Sequence, residues 1–213
     1  MDRGDGERFM QLSLSYICAS WPVIKSTYEQ LDTKYSMSLH MDFMDGQFVP
    51  RLGTHPESIN EAIEHFATHV DVHAMIQSNS NAWDDILKSN ANIIYAHYES
   101  FHSEQHCMDF LSRDTRLKLA FKPYHTIAQI DSICDRLEVD DFLLMAYNPG
   151  IKVQNSFYDL NTLSDTQRYV TVDGGITYDT VKRFEDKPNI RLVAGSKVIF
   201  NSNFESNMVK LLE

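Results

Sequence analysis

Short β-type runs alternate with segments of helical period along almost the whole 213-residue chain. The runs are Met10–Ile17, Ser36–Met41, His69–Met75, Ala91–His97, Arg116–Phe121, Phe142–Tyr147, Arg168–Val172 and Ile190–Ala194. Between them lie Pro22–Tyr35, Glu57–Ala67, Ala82–Ser89, Gln105–Ser112, Ile127–Leu137, Tyr178–Phe184 and Ser202–Leu212, whose apolar residues recur at helical spacing. Eight strands alternating with helices predict parallel βαβ construction, an α/β fold. An open doubly wound sheet and a closed (β/α)₈ TIM barrel both satisfy that pattern, and the count of eight favours the barrel. Between Phe157 and Tyr169 there is room only for a short sixth helix, which makes this the weakest unit. No Gly/Ser linker, low-complexity tract or charge block interrupts the series, so residues 1–213 are expected to form one domain.

Hydrophobic residues at 43% and charged residues at 23% suit a globular chain rather than a disordered one. No apolar run approaches the ~18 residues needed to cross a bilayer, so no membrane association is expected. The opening MDRGDGERFM is too polar and acidic for a signal peptide, which makes the cytoplasm the expected location. Cys18, Cys107 and Cys134 have neither paired nor metal-ligand spacing and are expected to be ordinary thiols. The formal charge of −11 disfavours nucleic acid as a partner. It also means that any anionic substrate must be held by local groups against an opposing global field.

In either architecture ligands bind at the carboxyl ends of the strands. The second run continues His40-Met41-Asp42-Phe43-Met44-Asp45-Gly46, and residues two apart on a strand share a face. His40, Asp42 and Met44 therefore point one way, as do His73 and Met75 at the end of the third run. Asp173 ends the seventh. His40, Asp42, His73 and Asp173 thus fall on one rim and make a first shell suited to one divalent ion, Zn²⁺, Fe²⁺, Mn²⁺ or Co²⁺. Glycines gather at three late strand ends: Gly150 after the sixth, Gly174 and Gly175 after the seventh, and Gly195 before Ser196 after the eighth. Such glycines either permit tight turns or let uncharged backbone N–H groups hold a phosphate. Met44, Met75 and Met145 lie near strand ends, as core filler or as a polarisable lid.

These residues carry a resemblance. His40 to Pro50 (H-M-D-F-M-D-G-Q-F-V-P) resembles the signature H-x-D-x-M-D-G-x-F-V-P of the ribulose-phosphate 3-epimerase family. Asp71-Val72-His73-Ala74-Met75 is similar to its D-V-H-x-M, and Val172-Asp173-Gly174-Gly175-Ile176 to its V-D-G-G-I. Val193-Ala194-Gly195-Ser196, Asn148-Pro149-Gly150, Lys122-Pro123 and Ser13-Leu14-Ser15 follow in family order over nearly the whole chain. The resemblance implies a (β/α)₈ barrel, an isomerase, and a metal held by His40, Asp42, His73 and Asp173. It implies that Asp42 and Asp173 are also the catalytic acid and base on opposite faces of a sugar phosphate. Ser15 would touch substrate, the three methionines would pack above the intermediate, and the late-loop glycines with Ser196 would bind phosphate. Assembly into a homo-oligomer is expected on the same ground.

The reaction so implied is inversion at carbon 3 between D-ribulose 5-phosphate and D-xylulose 5-phosphate through an enediolate. Departures from the pattern sit elsewhere: the usual P-G-F-G-G-Q loop is Pro149-Gly150-Ile151-Lys152-Val153-Gln154 here. Arg51 replaces the Asn that often follows F-V-P, and Leu14 replaces an opening Pro. The metal and proton-transfer set is intact while the substrate-holding set is edited. Two other readings follow from that: epimerisation of another ketose phosphate such as D-allulose 6-phosphate, or a non-catalytic sugar-phosphate binder.

Overall fold

A computed structural model of the chain describes residues 10–147 and 158–213. Eight parallel strands close into a barrel in sequential order, β8 pairing back onto β1. They are β1 (Gln11–Ser15), β2 (Ser36–Met44), β3 (Val70–Met75), β4 (Ile93–His97), β5 (Leu117–Phe121), β6 (Asp141–Met145), β7 (Tyr169–Asp173) and β8 (Ile190–Ala194). The helices are α1 (Trp21–Leu31), α2 (Glu57–His65), α3 (Trp83–Lys88), α4 (Glu104–Leu111), α5 (Ile127–Leu137), α6 (Tyr178–Arg183) and α7 (Phe204–Leu212). The closed barrel is the fold expected from the sequence, and the open sheet is excluded.

Several boundaries differ from the sequence pattern by one to four residues, three of them as follows. β1 stops at Ser15 because Tyr16–Cys18 turn into a short 3-10 helix. α1 ends at Leu31, where Asp32 caps it through its N–H to the Tyr28 carbonyl. β2 runs on to Met44, three residues past the expected Met41, and stays in register with β3 throughout. The sixth unit carries no α-helix among the described residues. It has a single 3-10 turn, Leu160–Leu163, started by Asp159, whose side chain accepts from the Asn161 N–H.

Alternation along the strands builds two different layers. Side chains facing outward are apolar: Leu12, Leu39, Val72, Ile94, Leu119, Phe142, Val172 and Leu192 are fully buried against the helices. α5 shows why the helices dock. Thr126 and Gln129 form a reciprocal capping box, and Ile130, Ile133, Cys134 and Leu137 bury one stripe at helical spacing. Each fully buried Leu, Ile or Phe contributes about 1.5–3 kcal/mol, so this outer layer holds the barrel together. Cys107 and Cys134 lie in it, their thiols pushed up to about 12 by burial. All three cysteines are free. Among the described residues no helix is long and apolar enough to cross a membrane.

Side chains facing inward are largely polar. Toward the amino end of the barrel, fully buried Asp71 accepts from Ser13 Oγ (3.2 Å), Ser38 Oγ (3.0 Å) and Arg191 Nη1 (3.2 Å). His69 Nε2 lies 3.0 Å from the same carboxylate. Burial alone would raise this acid, but the Arg191 charge, followed by His69, outweighs it and holds Asp71 well below its ordinary range. Tyr95 hydrogen-bonds Asp141 (3.1 Å) and Thr171 (2.9 Å) across the same interior. Buried polar groups need such partners, and here they form a plug beneath the carboxyl rim.

Candidate metal centre and active site

β2 and β3 run side by side, with Asp42 opposite His73 and Met44 opposite Met75. Period-two alternation then sends His40, Asp42 and His73 into the barrel together. Asp173, last residue of β7, reaches the same point from the far side. One donor atom from each of His40, Asp42, His73 and Asp173 lies within 4.8 Å of every other. His73 Nδ1 is 3.2 Å from Asp42 Oδ1 and 3.4 Å from Asp173 Oδ2. His40 Nε2 is 3.6 Å from Asp42 Oδ1 and 3.9 Å from Asp173 Oδ2, beyond hydrogen-bond length.

Both ring nitrogens of His40 are buried with no hydrogen-bond partner among the described residues. A fully buried imidazole without one is costly. A cation among the four donors would satisfy Nε2 and draw in both carboxylates, so the residues fit a divalent metal. Two imidazoles and two carboxylates suit a borderline transition ion. Electrostatics agree. Burial would raise Asp42, but His40 and His73 beside it overcome that and hold it well below the usual carboxylate range. Burial likewise opposes a proton on His73, yet Asp173 and Asp42 outweigh it and raise that ring to about 9. His40 is raised in the same way, with Asp42 as the main opponent of burial.

The remaining residues expected at the site are placed as follows. Ser15 ends β1 beside His40, buried, with its Oγ 3.4 Å from Cys18 Sγ. Met44 and Met75 pack together with Val49 and Phe48. Met145 stands apart from them, opposite Asp173 in the sheet and packed on Tyr95, Ala120 and Leu143. The three methionines thus flank the metal cluster from two sides.

Gly174 and Gly175 follow Asp173 with φ of +95° and +70°, a region that side chains rarely enter. A Cβ on Gly175 would lie 2.4 Å from the Tyr147 ring, so that ring rests directly on the glycine pair. Lys197 stands over the same ring, 5.0 Å from its centre, and hydrogen-bonds the Tyr147 hydroxyl. Gly195 is packed near Cys18 and Ser15, while Ser196 is exposed. The ends of β6, β7 and β8 therefore meet around Tyr147. Gly150 and the altered loop 150–154, Lys152 included, lie outside the described residues.

Three features were not singled out from sequence. His97 ends β4 directly behind His73, and Glu99, in the 3-10 turn that follows, sits behind His97. The inward phase of His97 at a strand end was the available signal. Gly53 packs against the backbone of β2 at Asp42, and nothing local in the sequence marks it.

Such a site on such a scaffold defines a (β/α)₈-barrel protein with a candidate divalent-metal centre at its carboxyl rim. The pattern describing the ribulose-phosphate 3-epimerase family matches residues 11–199, and the chain belongs to that family. The ribulose-phosphate 3-epimerases of Treponema pallidum and Bacillus subtilis are 24% and 23% identical to it. Those matches cover 96% and 91% of this chain and 97% and 94% of theirs. The chloroplastic ribulose-5-phosphate-3-epimerase of Arabidopsis thaliana is 28% identical over 75% of this chain, a stretch that spans only 61% of the Arabidopsis protein. The family places the chain among isomerases. Among solved structures, a mutant tryptophan synthase α-subunit from Pyrococcus furiosus superposes with a TM-score of 0.60 at 14% identity, covering 97% of this chain and 98% of its own. A thiamine phosphate pyrophosphorylase from the same organism gives 0.56 at 10% identity, with 96% and 94% covered. At those identities the likeness is one of fold.

Proposed function

We propose that this chain is a metal-dependent C3 epimerase interconverting D-ribulose 5-phosphate and D-xylulose 5-phosphate. The observation that carries the reading is the convergence of His40, Asp42, His73 and Asp173, with the two carboxylates arriving from β2 and β7, three strands apart around the barrel. A divalent ion held there (Zn²⁺, Fe²⁺, Mn²⁺ or Co²⁺) would supply positive charge toward the oxygens on carbons 2 and 3 as the C3 proton leaves. One of Asp42 and Asp173 takes that proton from one face of the ketose. The other returns a proton to the opposite face, which inverts the carbon. Two groups are needed because a single base tends to restore the original configuration.

Ser15 is assigned to substrate contact, and Met44, Met75 and Met145 to excluding water above the enediolate. The phosphoryl group is assigned to Gly174, Gly175, Gly195 and Ser196, together with Gly150. Lys197 adds a cation at that end, which a chain of net charge −11 needs locally. Cytoplasmic location and assembly into a homo-oligomer belong to the same proposal and rest on family membership.

The altered segment Ile151-Lys152-Val153 favours one second reading, the same inversion on another ketose phosphate such as D-allulose 6-phosphate. The test is deuterium incorporation at carbon 3 from D₂O, followed by kcat/KM over a panel of ketose phosphates. Binding without exchange would leave only a sugar-phosphate binder and defeat the proposal. Faster turnover of a hexulose phosphate would move the assignment to the second reading.

A further inference from the structure

His97 ends β4 next to β3, and its fully buried ring stands behind His73 as seen from the metal cluster. His73 Nε2 and His97 Nε2 face each other at 2.9 Å. At that distance one nitrogen donates and the other accepts. On its far side His97 Nδ1 lies 2.9 Å from Glu99 Oε2. The other oxygen of Glu99 accepts from the Lys122 backbone N–H (2.7 Å), with His125 Nε2 3.1 Å away. Surrounded by donors, Glu99 holds no proton of its own and can only accept. His97 Nδ1 must then donate to it.

The rest of the relay is fixed in turn. With its proton on Nδ1, His97 offers a lone pair at Nε2, so His73 donates from Nε2, which leaves Nδ1 as the nitrogen that a cation can take in place of a proton. That is the atom facing Asp42 and Asp173. Packing holds the geometry as well. The Phe48 ring lies 4.8 Å from the His97 ring, and Lys122 Nζ stands 4.2 Å over Phe48.

We infer that Glu99, acting through His97, fixes the tautomer and ring orientation in which His73 presents Nδ1 to a divalent cation. Both are positioning residues, and the inference rests on the metal centre proposed above. A ligating histidine held this way loses little freedom on binding, and outer partners of this kind are worth roughly 10–100-fold in metal affinity.

The test measures Co²⁺ and Zn²⁺ affinity by competition with a chromophoric chelator, and folding by near-UV circular dichroism and Tm. His97→Phe keeps a ring of similar size but ends the relay. Glu99→Gln turns an amide N–H toward one of three donors. Both are expected to fold and to lose about 10–100-fold in affinity. His97→Gln offers an oxygen toward His73 and an N–H toward Glu99, so it should stay within a few-fold of wild type. In the Zn²⁺-loaded protein, ¹⁵N NMR should show His73 protonated at Nε2, with that proton exchanging rapidly only in His97→Phe. Wild-type affinity in folded His97→Phe and Glu99→Gln would overturn the relay and leave the metal centre standing. A wild-type protein that binds neither ion would instead overturn the metal centre, and the relay with it.

Discussion

Gly53 tests whether the metal site depends on a close backbone approach. The segment after β2 turns back along it: Gly53 N–H donates to the Met44 carbonyl (3.1 Å) and Thr54 N–H to the Asp42 carbonyl (2.7 Å). A Cβ on Gly53 would lie 2.3 Å from the Asp42 oxygen and 2.7 Å from the Met44 nitrogen, whereas ordinary contact begins at 3.4 Å. About 1 Å must therefore be found between two backbones in Gly53→Ala. β2 is locked by pairing on both sides, Ser15 with His40 and Asp42 with His73. Overpacking costs about 1–3 kcal/mol and each strained hydrogen bond about 1 kcal/mol, giving roughly 2–4 kcal/mol in total. For a chain of this length that is a fall in Tm of about 5–15 °C. Any share taken by β2 moves Asp42, a proposed metal ligand, and ligand sets tolerate only about 0.5 Å. Co²⁺ affinity should accordingly fall about tenfold or more, read by the same chelator competition. Gly46→Ala is the control: its nearest neighbour is 3.6 Å away, but its φ of +78° is strained for alanine. It should cost about 1 kcal/mol without changing affinity. Unchanged Tm in Gly53→Ala would refute the steric argument. A lowered Tm with unchanged affinity would refute its link to the site.

Asp173→Asn should keep the fold and lower kcat by about 10²–10⁴-fold, measured on ribulose 5-phosphate; more than a tenth of wild-type activity would contradict its role in proton transfer. Asp141 is raised by burial to about 6 from an ordinary 3.8. The folded state therefore holds a proton that the unfolded state releases between those values, and this stability, full below pH 3.8, is lost as pH rises through 6. Asp141→Asn still accepts from Tyr95, so its stability relative to wild type should grow by about 2 kcal/mol from pH 4 to pH 7. Urea unfolding at both pH values measures this, and a pH-independent difference would count against it. His73, raised to about 9, carries a proton in the metal-free protein that an entering ion must displace. Affinity for Zn²⁺ should fall as pH drops below 9, with about one proton released per ion at pH 7 in calorimetry across buffers of different ionisation enthalpy. Release of none would contradict this.

The barrel was legible because its outer face is a continuous apolar layer, so each strand announced itself and each helix showed one stripe. The four donors were legible for a related reason: period two puts His40 in phase with Asp42 within a single strand. What escaped was set by contacts between segments. His97 has the inward phase at a strand end and Glu99 follows in a 3-10 turn, but only the register of β3 against β4 puts them behind His73. Gly53 meets Asp42 through an irregular return segment pinned by one antiparallel bridge, Asp45 to Leu52, which no periodicity reports. Among the described residues the sixth helix is reduced to a 3-10 turn because only ten residues separate Tyr158 from Tyr169, a spacing the sequence did display.

The interior's charge arrangement explains why such an acidic chain can bury carboxylates at two depths. At the lower level Asp71 is matched by a permanent cation, Arg191, and by His69, so that level is complete within the protein. At the rim, among the described residues, Asp42 and Asp173 have no Arg or Lys as a close partner and face two imidazoles. Neutral imidazoles cannot balance two carboxylates, and without an ion the site has only protons on His73 and His40, both raised, to set against them. A divalent cation balances both. The asymmetry between the two levels, one closed by guanidinium and the other met only by titratable imidazoles, separates a structural plug from a candidate site for an ion.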